Sequence, residues 1–127
     1  MEYRSDFIER EIQKIILLIR NLMANLGEES NVNLKALDQE LKEKLDFGFF
    51  EIFELSNEDL KKKINGVDVL ILEELLRVLY KITIQNVTHL KSNTLKRVSL
   101  QIIDEIENKS SVYSFERQQI KNYFKSE

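Results

Sequence analysis

The chain has 127 residues, 43% hydrophobic and 32% charged, a balance that suits a single domain over residues 1–127 and excludes a disordered tail. Its acids and bases are interspersed and leave a formal net charge of −3, which argues against a nucleic-acid interface, since that needs a concentrated cationic footprint. Cysteine is absent, excluding a disulfide framework and any thiolate chemistry.

The longest apolar runs, Ile15–Ile19 and Val69–Leu72, fall far short of the roughly 20 residues that span a bilayer, so no membrane span is expected. The opening Met-Glu-Tyr-Arg-Ser-Asp lacks the basic and apolar regions of a secretory signal, and a cytoplasmic protein is expected.

With no proline and three glycines, helical periodicity dominates. The first helix is predicted from Asp6, with Glu9 completing a capping pattern, to Leu26, with Gly27 as its exit. Ile8, Ile12, Ile15, Ile16, Ile19, Leu22, Met23 and Leu26 share one arc of that helix. Leu17 points the other way, among Arg10, Gln13, Asn21 and Ala24, and is a candidate contact point; an isolated surface leucine is the ordinary alternative.

After a polar link over Glu28–Asn31, Leu34, Leu37, Leu41 and Leu45 predict a second helix capped by Asn33. Asp46–Leu55 packs Phe47, Phe49, Phe50 and Phe53 into seven residues, with Gly48 permitting a bend. This segment reads as a buried turn plugging the core; the alternative is an aromatic docking surface. Ser56, with Asp59 three residues later, starts a third helix that ends at Asn65-Gly66.

From Asp68 to about Val87 apolar residues cover half the circumference, predicting a helix buried from two sides. The next helix, about Thr94 to Glu107, carries Leu95, Val98, Ile102, Ile103 and Ile106 and is expected to pack on one side only. Ser114 caps a last helix bearing Phe115, Ile120, Tyr123 and Phe124. The expected fold class is all-α, five or six antiparallel helices in hairpins or an irregular bundle.

Asp6–Ile15, Leu79-Tyr80-Lys81-Ile82 and Tyr113-Ser114-Phe115-Glu116-Arg117 resemble a family of short bacterial proteins of tetratricopeptide-like helical build. The resemblance implies stacked helix pairs, with the helices from Asp68 and Thr94 as one hairpin, and it implies no activity. The chain lacks the tryptophan and proline of the tetratricopeptide pattern, so at most one degenerate repeat is expected.

His89 is the only histidine, near the end of the long buried helix, where a cation is favoured by the helix dipole. No glutamate precedes it by three residues, so the Glu-x-x-His unit of di-iron bundles is missing, as are phosphate loops and nucleophile motifs. The acidic groups at Glu9 and Glu11, Glu28 and Glu29, Glu73 and Glu74, and Asp104, Glu105 and Glu107 read as solvated faces with local charge pairs such as Glu73 to Arg77. No cofactor or metal is expected, although a carboxylate–metal enzyme assembled from distant helices stays open.

Lys61, Lys62 and Lys63 form a short basic run. Arg77 and Lys81, one turn apart, could receive a partner's carboxylate or phosphate, unless Glu73 and Glu74 neutralise Arg77 first. The expected role is a non-enzymatic protein–protein interaction domain using Arg77 and Lys81. Its rival is a homodimer or larger assembly formed through Leu17 and the first helix.

Overall fold

A computed structural model describes residues 2–24, 30–85 and 90–126, the side chains of residues 2–5, 30 and 31 excepted. Among the described residues there are six α-helices, one 3-10 turn and no strand, so the chain is all-helical. Leu26, Gly27, Glu28, Glu29, Val87 and His89 lie outside the described residues.

Helix α1 spans Glu2–Ala24. It passes through Asp6 without a boundary, because nothing in the preceding residues opposes helix and an Asp-x-x-Glu pair fits a helix interior as well as a cap. Ile15, Ile16, Ile19 and Met23 are buried, Ile12 and Leu22 partly so, and Ile8 is 54% exposed. The inward stripe is therefore covered only beyond its first turns.

Helix α2, Ser30–Leu45, begins before Asn33, which lies inside the helix and not at its cap. Leu34, Leu37 and Leu41 form its buried seam. The chain then turns at Asp46, whose φ of 65° is a left-handed conformation that aspartate tolerates better than most residues. Gly48 has a different role from the expected bend: a Cβ there would collide with the Asp38 carboxylate and come within 2.8 Å of Lys42 Cε. That close approach lets Asp38 Oδ1 accept the Phe50 amide at 3.0 Å.

A 3-10 turn over Glu51–Phe53 follows. Phe47, Phe49 and Phe53 are buried and Phe50 partly so, with Phe49 edge-on to Phe50 at 5.5 Å and to Phe53 at 5.2 Å. The aromatic cluster is core, not a docking surface.

Helix α3 runs Asn57–Asn65 and is capped by Ser56 Oγ, which accepts the Asp59 amide at 3.2 Å; Gly66 ends it. Helix α4, Val69–Ile84, is capped by Asp68, which accepts the Leu70 amide at 2.9 Å. It is buried on both sides, as its pattern requires.

Helix α5, Ser92–Lys109, is not one-sided as its single stripe suggested: it packs against α3, α4, the 3-10 turn and the helix that follows. Ser99 and Glu105 are buried beside the stripe, and small or polar residues on a flank do not register as apolar periodicity. Helix α6, Phe115–Ser126, is capped by Ser114 Oγ from the Arg117 amide at 3.1 Å. It buries Ile120 and Phe124, whereas Phe115, expected inward, is 67% exposed at the helix start.

Side-chain bonds fix the directions. Arg20 meets Glu74 and Met23 meets Lys81, so α1 runs parallel to α4. Glu73 meets Arg117 and Tyr80 stacks edge-on with Tyr123 at 5.3 Å, so α6 also runs with α4. Asn57 meets Arg97, and Asn65 meets Lys109, so α3 runs with α5.

Candidate functional site

The parallel set α1, α4 and α6 encloses a cleft of about 370 Å³ that contains both sequence-predicted cations. Its floor is apolar, from Ile19, Met23 and Val78, and its walls carry Arg20, Lys81, Arg77, Glu74 and Glu116.

Glu74 is the centre of the wall. The residue is only 4% exposed, a costly position for a carboxylate without partners. Two guanidinium groups offset that cost. Arg20 donates Nε at 3.0 Å and Nη2 at 2.7 Å to Glu74 Oε1, and Arg77 donates Nη1 to the same oxygen at 2.5 Å. Arg77 also donates Nε to Glu116 Oε1 at 2.8 Å. The Glu116 hydrogen bond, opposed by burial and reinforced by the neighbouring carboxylates, raises the Arg77 pKa above its ordinary value.

Lys81 donates Nζ to the Met23 carbonyl of α1 at 2.7 Å. Three cations thus face two carboxylates, and the cleft keeps one positive charge in excess.

The structure brings Arg77 and Lys81 to one site and pairs Arg77 with Glu74, one of the two carboxylates that spacing offered to neutralise it, and with Glu116, but not directly with Glu73. Glu73 instead accepts Arg117 Nη1 at 2.8 Å, while Arg117 Nη2 holds the Val112 carbonyl at 2.8 Å. Arg20, Glu116 and Arg117 were missed by sequence reasoning. Their contacts join helices far apart in the chain, and the only local signal is that Arg20 lies beside Ile19 on the edge of the apolar stripe.

Leu17 is 55% exposed, as its position on α1 implied. It lines a separate shallow depression with Asp6, Glu9, Arg10, Gln13 and Lys14, and is not brought together with Arg77 and Lys81.

A larger groove of about 640 Å³ lies between α3 and α5, but its polar groups tie those two helices to each other. Arg97 Nη1 donates to Asn57 Oδ1 at 2.8 Å, and Gln101 Nε2 to the Asn57 carbonyl at 2.5 Å. Lys63 of the basic run lies 3.9 Å from Glu51, and Lys61 borders this groove.

Among the described residues no three histidine, cysteine, aspartate or glutamate side chains are grouped closely enough to hold a metal ion, and no helix is long and apolar enough to cross a membrane. The chain matches no family model, no curated protein and no solved structure.

Proposed function

We propose that the protein is a non-enzymatic interaction domain of the cytoplasm, and that the cleft between α1, α4 and α6 receives an acidic segment of a protein partner. One observation carries the reading: Arg20, Arg77 and Lys81 outnumber the two carboxylates around an apolar floor. A partner carboxylate entering there meets guanidinium and ammonium donors with unused N–H bonds, and an apolar neighbour can rest on Ile19, Met23 and Val78.

The helix directions favour a tetratricopeptide-like arrangement built on the antiparallel α4–α5 hairpin that the sequence suggested, the most extensively packed pair of helices. In that arrangement α3 lies beside α5 and side chains of α6 reach α4.

A labelled peptide of alternating glutamate and leucine, titrated by fluorescence anisotropy, tests the site. Replacing Arg77 and Lys81 together by alanine removes two of three cations and is expected to weaken binding about tenfold or more. Arg20 still partners Glu74 in that variant, so its thermal melt should stay cooperative. Unchanged affinity would remove the cleft from the proposal.

A further inference from the structure

Two carboxylates line the cation-rich cleft between α1, α4 and α6, and they are held in opposite ways. Glu74 has a side chain only 5% exposed and accepts three N–H bonds from Arg20 and Arg77. Drawing it out would leave two guanidinium groups facing the space it vacates, so Glu74 belongs to the fold. Glu116 has a side chain 54% exposed, and among the described residues Arg77 is its only ion-pair partner. Arg77 holds it by one oxygen, Oε1, with Nε at 2.8 Å and Nη2 at 2.7 Å. Solvent reaches this pair, and an ion pair so placed contributes little to stability.

The place of Glu116 in the chain lets it leave without disturbing its helix. It sits in the first turn of α6, where a freed carboxylate stays favoured by the helix dipole and by water. Its neighbour Arg117 is the anchor instead, 7% exposed and bonded to Glu73 and to the Val112 carbonyl. Ile120 and Phe124 are buried farther along. Helix α6 therefore remains docked when Glu116 swings out. What Glu116 occupies is the Nε–Nη2 edge of Arg77, a planar fork whose shape matches a carboxylate. While it stays there, an incoming acid meets the remaining donors of Arg20 and Lys81 and an Arg77 already neutralised. With Glu116 displaced, three cations face one carboxylate, and the positive excess of the cleft rises from one charge to two.

On the reading of this cleft as the seat of an acidic partner segment, on which the proposal rests, we infer that Glu116 is an autoinhibitory stand-in for the partner's carboxylate. It holds Arg77 in the free protein and yields it to the ligand. Arg20 and Lys81 receive the incoming acid first, and Arg77 then exchanges Glu116 for it. One ion pair replaces another, so an acid that makes no other contact gains little from the exchange. A segment that also rests on Ile19, Met23 and Val78 gains apolar burial that Glu116 does not supply. The internal carboxylate thereby discriminates against stray anions and in favour of acids with an apolar neighbour.

The labelled glutamate–leucine peptide, titrated by anisotropy into the full chain, reads the exchange. Glu116→Ala is expected to raise affinity about two- to fivefold, the worth of a half-exposed ion pair. The gain should vanish when Arg77→Ala is already present, because nothing is left to release. A gain that persists in that background would reflect net charge alone and overturn the inference. In carbon NMR spectra of the unaltered protein, the Glu116 side-chain carboxyl signal should move with peptide saturation, and move more than that of Glu74. Circular dichroism checks that the variants remain helical, and the spectra of the unaltered protein decide the matter if one does not. Unchanged affinity for Glu116→Ala, or a stationary Glu116 signal at saturation, would overturn autoinhibition while leaving the cleft as the acidic-segment site. Absence of binding to both the unaltered protein and Glu116→Ala would instead remove the cleft reading, and the stand-in role with it.

Discussion

Glu74 is a carboxylate that sequence spacing assigns to a solvated helix face and that the fold turns inward. Removing its charge leaves Arg20 and Arg77 facing a neutral group. Both arginines are partly exposed, so solvent compensates in part. Glu74→Gln is expected to cost about 1–3 kcal/mol, read as a lower denaturant midpoint at unchanged slope. Arg77 adds no pH sensitivity near neutrality. Its raised pKa makes the stability it contributes fully present below the unfolded value and lost only as pH rises through the folded one, far into alkali. Leu17 was legible from rotation angle alone, because an α-helix turns a fixed amount per residue. Partners 39 to 58 positions apart, such as Arg77 with Glu116 or Lys81 with Met23, carry no periodic signal and had to be seen.

At the scale of the element, helix starts divide by what precedes them. Ser56, Asp68 and Ser114 follow extended or turned backbone, and each accepts an amide of the first helical turn. Asp6 and Asn33 also carry side-chain acceptors but follow residues that are already helical, so neither stands at a helix start. The aromatic turn was legible as core from ring density, whereas the division of labour between Asp46 and Gly48 was not. That division depends on Asp38, a residue of another element. Gly48→Ala should force Asp38 away from the Phe50 amide and destabilise the fold by about 1–3 kcal/mol. Phe49→Ala should cost about 3–5 kcal/mol, since the ring is fully buried between Phe50 and Phe53. Equilibrium denaturation measures both, and a smaller loss for Phe49 than for Gly48 would mean that the turn, not the ring, organises this corner.

For the whole molecule, the all-helical class followed from periodicity, but the placement of α5 did not. Its single apolar stripe concealed a helix in contact with α3, α4, α6 and the 3-10 turn. Native-state hydrogen exchange should therefore find the slowest amides in α4 and α5, with α1 opening at lower free energy because its first turns are uncovered. Slower exchange in α1 than in α5 would contradict this arrangement. The parallel seating of α1 on α4 also orders events during synthesis. Arg20 waits for Glu74, 54 positions later, and until α4 has left the ribosome the part of the first helix's isoleucine face that α2 does not cover stays open. The nascent chain must carry that greasy face through the crowded cell unaided, or in the temporary grip of a chaperone.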